Sequence, residues 1–210
     1  MNIPKKVVLI GYSGHAYVAA EVIQLAGFQL AGYLEKNKMG LNPFDLEYLG
    51  YEGDENIMRS LDNHFFFPAI GSNIIRRKIV ESLEKSKYHF INAIHPKANI
   101  SSKVVIGDGT LVCQGANINP LAQIGKAVII NTAAIIEHEC KIGDFAHIAP
   151  GAVLAGNVSI GRASFIGANA VVKQGISVGE NVIIGAGAVV LNDIPDNVSF
   201  VGNPAKILLK

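Results

Sequence analysis

Gly125-Lys-Ala-Val-Ile-Ile130-Asn-Thr-Ala-Ala-Ile-Ile136-Glu-His-Glu-Cys-Lys-Ile142-Gly-Asp-Phe-Ala-His-Ile148 carries an aliphatic residue at every sixth position, and that interval decides the fold. The same phase runs outward both ways, from Ile94, Ile100, Ile106, Val112, Ile118 and Ile124 to Leu154, Ile160, Ile166, Val172, Val178, Ile184 and Val190. Two positions before each, from Ala98 on, stands a small or β-branched residue, such as Ala116, Ala134, Cys140 or Ala152, which makes a second inward register. A period of six fits neither a helix nor a strand of alternating exposure; it fits short strands joined by tight corners in a parallel β-helix. Gly107, Gly125, Gly143, Gly161 and Gly179 recur every 18 residues, one corner per turn, where a backbone at positive φ is expected. Three hexads therefore close one triangular turn, and about five turns are stacked.

Toward the amino end the period changes near residue 90. Lys6 to Gly11 reads as a buried strand running into Gly11-Tyr-Ser-Gly-His15; Ala16 to Ala26 has helical composition, and Gln29 to Leu34 reads as a second strand, a βαβ opening. A loop from Glu35 to Asn56, a third strand from Phe65 to Ile70, Gly71-Ser-Asn73 and a charged helix from Ile74 to Lys87 complete this half. The expected domains are 1–90, Rossmann-like, and 91–210, a β-helix whose tail from Asp193 caps the open strand edges.

The 210 residues are half hydrophobic, which supports a buried core and excludes disorder. Eighteen basic residues against 17 acidic ones leave a formal charge of +1, so no basic face for nucleic acid is expected. No apolar run reaches about 18 residues, and the four apolar residues Val7 to Ile10 are too few for a signal-peptide core, so neither a membrane span nor secretion is expected. Two cysteines, Cys113 and Cys140, make no disulfide framework, which points to the cytoplasm.

In a coil of 18, residue n stacks on residue n+18 at roughly 4.8 Å, so spacing becomes a contact map. Only ten charged residues lie between Ser101 and Val190, and four of them gather with His138 and His147 on one turn, from Glu137 to His147. His138 falls in neither inward register and points outward, with Gly156 directly above it. Glu139 is placed to raise the basicity of the imidazole; Cys140 points inward. His147 is half a circuit from His138, probing the far side of the same turn. If both histidines serve one site, that site lies between chains, as a cyclic trimer provides.

Asn131 to Gly161, the opening Gly11-Tyr-Ser-Gly-His15, Ala69-Ile-Gly-Ser-Asn73 and the closing Val201-Gly-Asn-Pro-Ala-Lys206 together resemble the NeuD/PglD-like sugar O- and N-acyltransferases over nearly the whole chain. The resemblance implies a left-handed coil, a homotrimer with active sites between subunits, acetyl-coenzyme A as co-substrate and no metal. It implies His138 as general base with Glu139 enhancing it, His147 of a neighbouring chain touching acetyl-coenzyme A, and the Gly156 N–H receiving the oxyanion. Ala168 and Ala186, stacked with Pro150, would let the pantetheine arm lie along the prism. Ser13, Gly14 and His15 at a helix start, the pair Glu35 and Lys36, and Gly71 would hold a nucleotide-linked 4-amino sugar. One departure stands out: the bacillosamine-pathway enzymes have acids at both places of that pair, and here the second is Lys36.

The expected reaction is direct acetyl transfer to the sugar amine. Its nearest rival is O-acetylation of sialic acid or a related glycan by the same histidine. A β-helix carbonic anhydrase needs three histidines converging on zinc, whereas the coils hold only His138 and His147, with His95 at their entrance. A non-catalytic sugar-nucleotide scaffold is the third reading, and an inert His138→Ala variant excludes it.

Overall fold

A computed structural model describes residues 6–208; Met1 to Lys5, and Leu209 and Lys210 at the end of the expected cap, lie outside the described residues. Two compact units divide between Pro96 and Lys97.

In the first unit, β1 (Lys6–Ile10) is one of two inner strands of a parallel sheet with β2 (Gln29–Leu34), β3 (Tyr48–Gly50) and β4 (Phe65–Pro68), in the order β3-β2-β1-β4. Val7 to Ile10 are fully buried, as expected of an apolar run covered on both faces. The chain leaves β1 toward β2 and later returns to its other side as β4. The carboxyl ends of β1 and β4 therefore flank a switch point, where open α/β sheets hold ligands.

Helix α1 (Gly14–Leu25) buries Ala16, Ala19, Ala20, Val22 and Ile23, a single stripe at helical spacing. It starts two residues earlier than composition suggests, because Ser13 takes the extended cap position. β3 falls inside the loop expected from Glu35 to Asn56, and the short α2 (Glu55–Ser60) runs past the end of that loop into a stretch assigned no element. Three residues are too few to show a strand pattern, whereas α2 is announced by Asp54, whose side chain accepts the N–H groups of Asn56 and Ile57. Helix α3 (Asn73–Lys85) turns Val80, Leu83 and, unexpectedly, Arg76 inward.

The second unit is the left-handed parallel β-helix. Its two-residue strands stack in three sheets, one holding Leu111–Val112, Ile129–Ile130, His147–Ile148 and Phe165–Ile166, each pair in register 18 residues from the next. Ile135–Ile136 belongs to the second sheet and Lys141–Ile142 to the third. From Val112 to Val190 every sixth-position aliphatic is buried, and the second register from Thr110 to Ala188 is buried with it. Two hydroxyls in that register are satisfied inside the stack. Thr110 Oγ1 donates to Gly125 O at 3.0 Å and accepts from Val128 N, and Ser164 Oγ does the same with Gly179 O at 2.6 Å and Val182 N.

The corner glycines correct one expectation. None of Gly107, Gly125, Gly143, Gly161 and Gly179 has positive φ. A Cβ on Gly143 would stand 2.7 Å from Arg162 N and 2.9 Å from Gly161 C, so these positions lack a side chain because successive turns approach too closely for one. The left-handed backbone falls elsewhere in the hexad, at every sixth residue from Gly109 to Gly187, and Leu121, Ala133, Glu139 and Phe145 all accept it. Its cost, roughly 1–2 kcal/mol per non-glycine residue, is small beside the packing that imposes it.

The tail closes the stack. Ser199–Val201 extends the first sheet in parallel on Ile183–Ile184, and Lys206–Ile207 folds back on it antiparallel. Asp193 and Asp196 accept the N–H groups of Ser177 and Glu180, at 2.8 Å each. No helix among the described residues is long and apolar enough to cross a membrane.

Candidate functional site

At the switch point of the first unit, Gly11 ends β1 at φ 89°, and a Cβ there would meet Ile70 Cγ1 at 2.8 Å, so only glycine fits. The chain then turns over Tyr12 and Ser13 into α1. Ser13 makes no side-chain cap bond, leaving the helix start open to an anion. A cavity of about 550 Å³ opens here, walled by Ser13, His15, Glu35, Lys36 and Gly71. Gly14 is exposed beside it, with open space where a Cβ would stand, but does not wall it. Gly71 and His15 face each other: a Cβ on the glycine would touch the His15 Cβ at 3.6 Å.

Burial, reinforced by nearby Arg76, pushes the His15 imidazole down to about 4, so it is neutral at physiological pH. Arg76 was not legible as a site residue; it stands in the run Arg76-Arg77-Lys78, which reads as a solvated face. Instead it lies fully buried beneath the cavity floor, and burial brings its guanidinium down to about 9. Nη1 donates to Ile70 O at 2.9 Å and Gly71 O at 3.2 Å, and Nη2 donates to Asn73 Oδ1 at 2.9 Å.

Glu35 sits at the end of β2, as a ribose-binding acid does, but its carboxylate turns to two backbone N–H groups. Oε2 accepts the Tyr12 N–H at 3.2 Å and Oε1 the Lys36 N–H at 3.1 Å. Glu52, another wall residue that the pattern did not reveal, has its carboxyl pushed up by burial and by Glu35.

In the coil, His138 stands at the corner between Ile135–Ile136 and Lys141–Ile142, with its side chain 51% exposed. Nδ1 lies 3.1 Å from Glu139 Oε2, which fixes the ring's orientation and leaves Nε2 as the ring atom nearest Gly156. Glu139 is one of the left-handed corner residues, at φ 62°. Above the ring is Gly156. A Cβ there would lie 2.5 Å from His138 Nε2 and 2.6 Å from Cε1, so the imidazole occupies the space that glycine leaves. The two corners are tied by the bond from Asn157 N to His138 O at 2.8 Å, and the Gly156 N–H meets no acceptor among the described residues.

Cys140 points inward, its Sγ 3.2 Å from Ala155 O, and burial raises its thiol above the ordinary value. His147 stands on the sheet opposite the His138 corner, buried, with Nε2 3.2 Å from Asn131 Nδ2 and its ring edge-on to Phe165 at 4.9 Å. One chain thus does not bring His138 and His147 together. Ala168 and Ala186 stack on Pro150 at a third corner, through bonds from Asn169 N to Pro150 O and from Gly187 N to Ala168 O. Among the described residues, no three His, Cys, Asp or Glu side chains are placed to share a metal ion.

The family model of the PglD N-terminal domain matches residues 6–83, and that of the hexapeptide repeat of succinyl-transferase matches residues 157–192. The UDP-N-acetylbacillosamine N-acetyltransferase of Bacillus subtilis (strain 168) is 36% identical over 110 residues, 51% of this chain and 51% of that enzyme, so the match spans about half of its length. Among solved structures, a mutant of perosamine N-acetyltransferase from Caulobacter crescentus, in complex with CoA and GDP-perosamine, superposes with a TM-score of 0.92 at 34% identity, covering 98% of this chain and 97% of that one. The acetyltransferase domain of PglB from Neisseria gonorrhoeae, in complex with acetyl coenzyme A, gives a TM-score of 0.91 at 36% identity, covering 98% of this chain and 100% of that one.

Proposed function

The chain belongs to the PglD-type family of sugar N-acetyltransferases, and from that premise we propose that it carries an acetyl group from acetyl-coenzyme A to the amine of a nucleotide-linked 4-amino sugar. The observation that carries this reading is the stack of Glu139, His138 and Gly156, in which an exposed imidazole is oriented by a carboxylate and roofed by a bare glycine.

The chemistry follows from those positions. The sugar amine attacks the thioester carbonyl, forming the C–N bond, while His138 Nε2 takes its proton. The tetrahedral oxyanion is received by the Gly156 N–H, which has no other acceptor among the described residues and lacks a Cβ to obstruct approach. The C–S bond breaks and His138 returns the proton to the departing thiolate, so no covalent enzyme intermediate is needed.

The helix start at Ser13, with Gly14, His15 and Gly71, receives the diphosphate, and Glu35 and Lys36 border the nucleotide. The pantetheine arm lies along Pro150, Ala168 and Ala186. The active assembly is a homotrimer in which His147 of a neighbouring subunit meets the coenzyme. Support comes from the outward aliphatic column of Ile135, Val153, Val171 and Val189 on one sheet, apolar surface of the kind a second coil covers. The buried free thiols of Cys113 and Cys140 accord with a cytoplasmic enzyme.

The test is turnover of acetyl-coenzyme A with UDP- and GDP-linked 4-amino sugars against sialic acids, with the product bond identified by mass spectrometry and NMR. An amide at the sugar amine is expected; acetylation of hydroxyls alone refutes the N-acetyl reading.

A further inference from the structure

Between β2 and β3 the chain makes a long excursion, residues 36–47, whose first residue walls the nucleotide cavity. No regular structure holds that loop. It is held by phenols. The Tyr12 hydroxyl donates to Asn42 Oδ1 at 2.7 Å and accepts the Phe44 N–H at 3.3 Å. Tyr33 accepts the Met39 N–H at 3.0 Å, Tyr17 donates to Leu41 O at 3.4 Å, and Tyr48 donates to Glu35 O at 3.1 Å. Asn42 in turn clips the loop to itself, accepting the Leu46 N–H at 3.0 Å and donating to Leu46 O at 2.9 Å.

Tyr12 is the hub of this arrangement. Its ring is fully buried, stacked on Tyr33 at 4.2 Å and edge-on to Tyr17 at 5.3 Å. It immediately precedes Ser13, and its own N–H holds the Glu35 carboxylate at 3.2 Å. One residue thus touches the anion-binding turn through its backbone and the far end of the loop through its hydroxyl. Burial pushes the phenol up, so it stays protonated and able to donate to Asn42.

We propose that Tyr12 is a positioning residue for nucleotide-sugar binding, holding the 36–47 loop so that Glu35 and Lys36 stand as a fixed wall of the cavity. The proposal rests on the acetyltransferase reading above. Without the hydroxyl the wall must be ordered each time a ligand enters, and that ordering is subtracted from binding. The chemistry at His138 is left alone.

Tyr12→Phe removes only the hydroxyl and keeps the ring stack; Asn42→Ala removes the partner without altering the anion-binding turn. Tyr12→Phe removes two hydrogen bonds and Asn42→Ala three, so each is expected to raise KM for the nucleotide sugar at least about fivefold, the worth of one such bond. In both, kcat and KM for acetyl-coenzyme A stay within about twofold of the parent, and the double variant is less than additive. Trypsin supplies a readout independent of turnover, since Lys36 and Lys38 lie in the loop. Cleavage there is expected to accelerate in both variants and to slow when UDP or GDP is added. An unchanged KM, an equal loss of kcat with both substrates, or unchanged cleavage overturns the proposal. Should the parent protein transfer acetyl to no nucleotide sugar, the functional reading fails, and the trypsin arm with UDP and GDP still decides whether Tyr12 holds the wall.

Discussion

Gly156 faces the imidazole of His138 so closely that a single added methyl group would lie 2.5 Å from Nε2. Gly156→Ala therefore forces the ring aside without touching the buried registers below. The expected outcome is a loss of about 100-fold in kcat, the scale of an ångström's misplacement, with an unchanged melting temperature. A variant of full activity overturns the assignment of that corner.

Removing the imidazole itself is more severe. His138→Ala is expected to lower kcat by about 10²–10⁴, the range of one general base, while sedimentation shows the same assembly as the parent. Glu139→Gln keeps a hydrogen-bonding group beside Nδ1 but removes its charge. It is expected to lose less, about tenfold by the same reasoning, read as kcat at saturating substrates.

Ala186 is exposed above Ala168 in the smooth corner column. Ala186→Arg places a long side chain where the pantetheine arm is proposed to run. KM for acetyl-coenzyme A should rise at least about tenfold, corresponding to about 1.4 kcal/mol, with KM for the nucleotide sugar unaffected. A rise in the latter alone assigns the column to the wrong substrate.

His15 makes stability depend on pH in a defined direction. The unfolded chain takes a proton near the ordinary value of 6.5, whereas the folded chain resists it until about 4. Between those values the unfolded state binds more protons, so stability falls as the pH falls through this window. His15→Gln removes this contribution, and its urea midpoint should decline less steeply than the parent's from pH 6.5 to pH 4.

The two kinds of coil corner separate under mutation. Gly143→Ala drives a Cβ against the backbone of the next turn, 2.7 Å from Arg162 N, and should cost upward of about 2 kcal/mol in denaturant unfolding. Ala133→Gly, at an exposed left-handed corner of φ 55°, relieves backbone strain at the expense of chain entropy and should stay within about 1 kcal/mol.

The coil was legible because its spacing is itself a contact list: the pairing of His138 with Gly156 and the inward phase of Cys140 needed only arithmetic. The same arithmetic located the corner glycines but misassigned their reason. Crowding between turns and a left-handed φ both select glycine, and spacing does not tell them apart. In the first unit the strand and helix order was readable from β1 to α3, apart from β3 and α2. The pocket's inner supports were not. The burial of Arg76, the inward turn of the Glu35 carboxylate and the reach of the Tyr12 hydroxyl to Asn42 all depend on which surfaces meet after folding. Gly11-Tyr-Ser-Gly-His15 marked the turn without indicating that its tyrosine serves the neighbouring loop.

Each coil rests only on the coils before and after it, so disorder in the second unit spreads in one dimension, as in other repeat folds. Fraying that begins at Lys206–Ile207 must peel away the strand at Ser199–Val201 and the turn bearing Asn181 before it nears Gly156. The His138 corner lies in the interior of the stack, so melting at the carboxyl edge should first weaken coenzyme binding at Ala186 and only later disturb the imidazole.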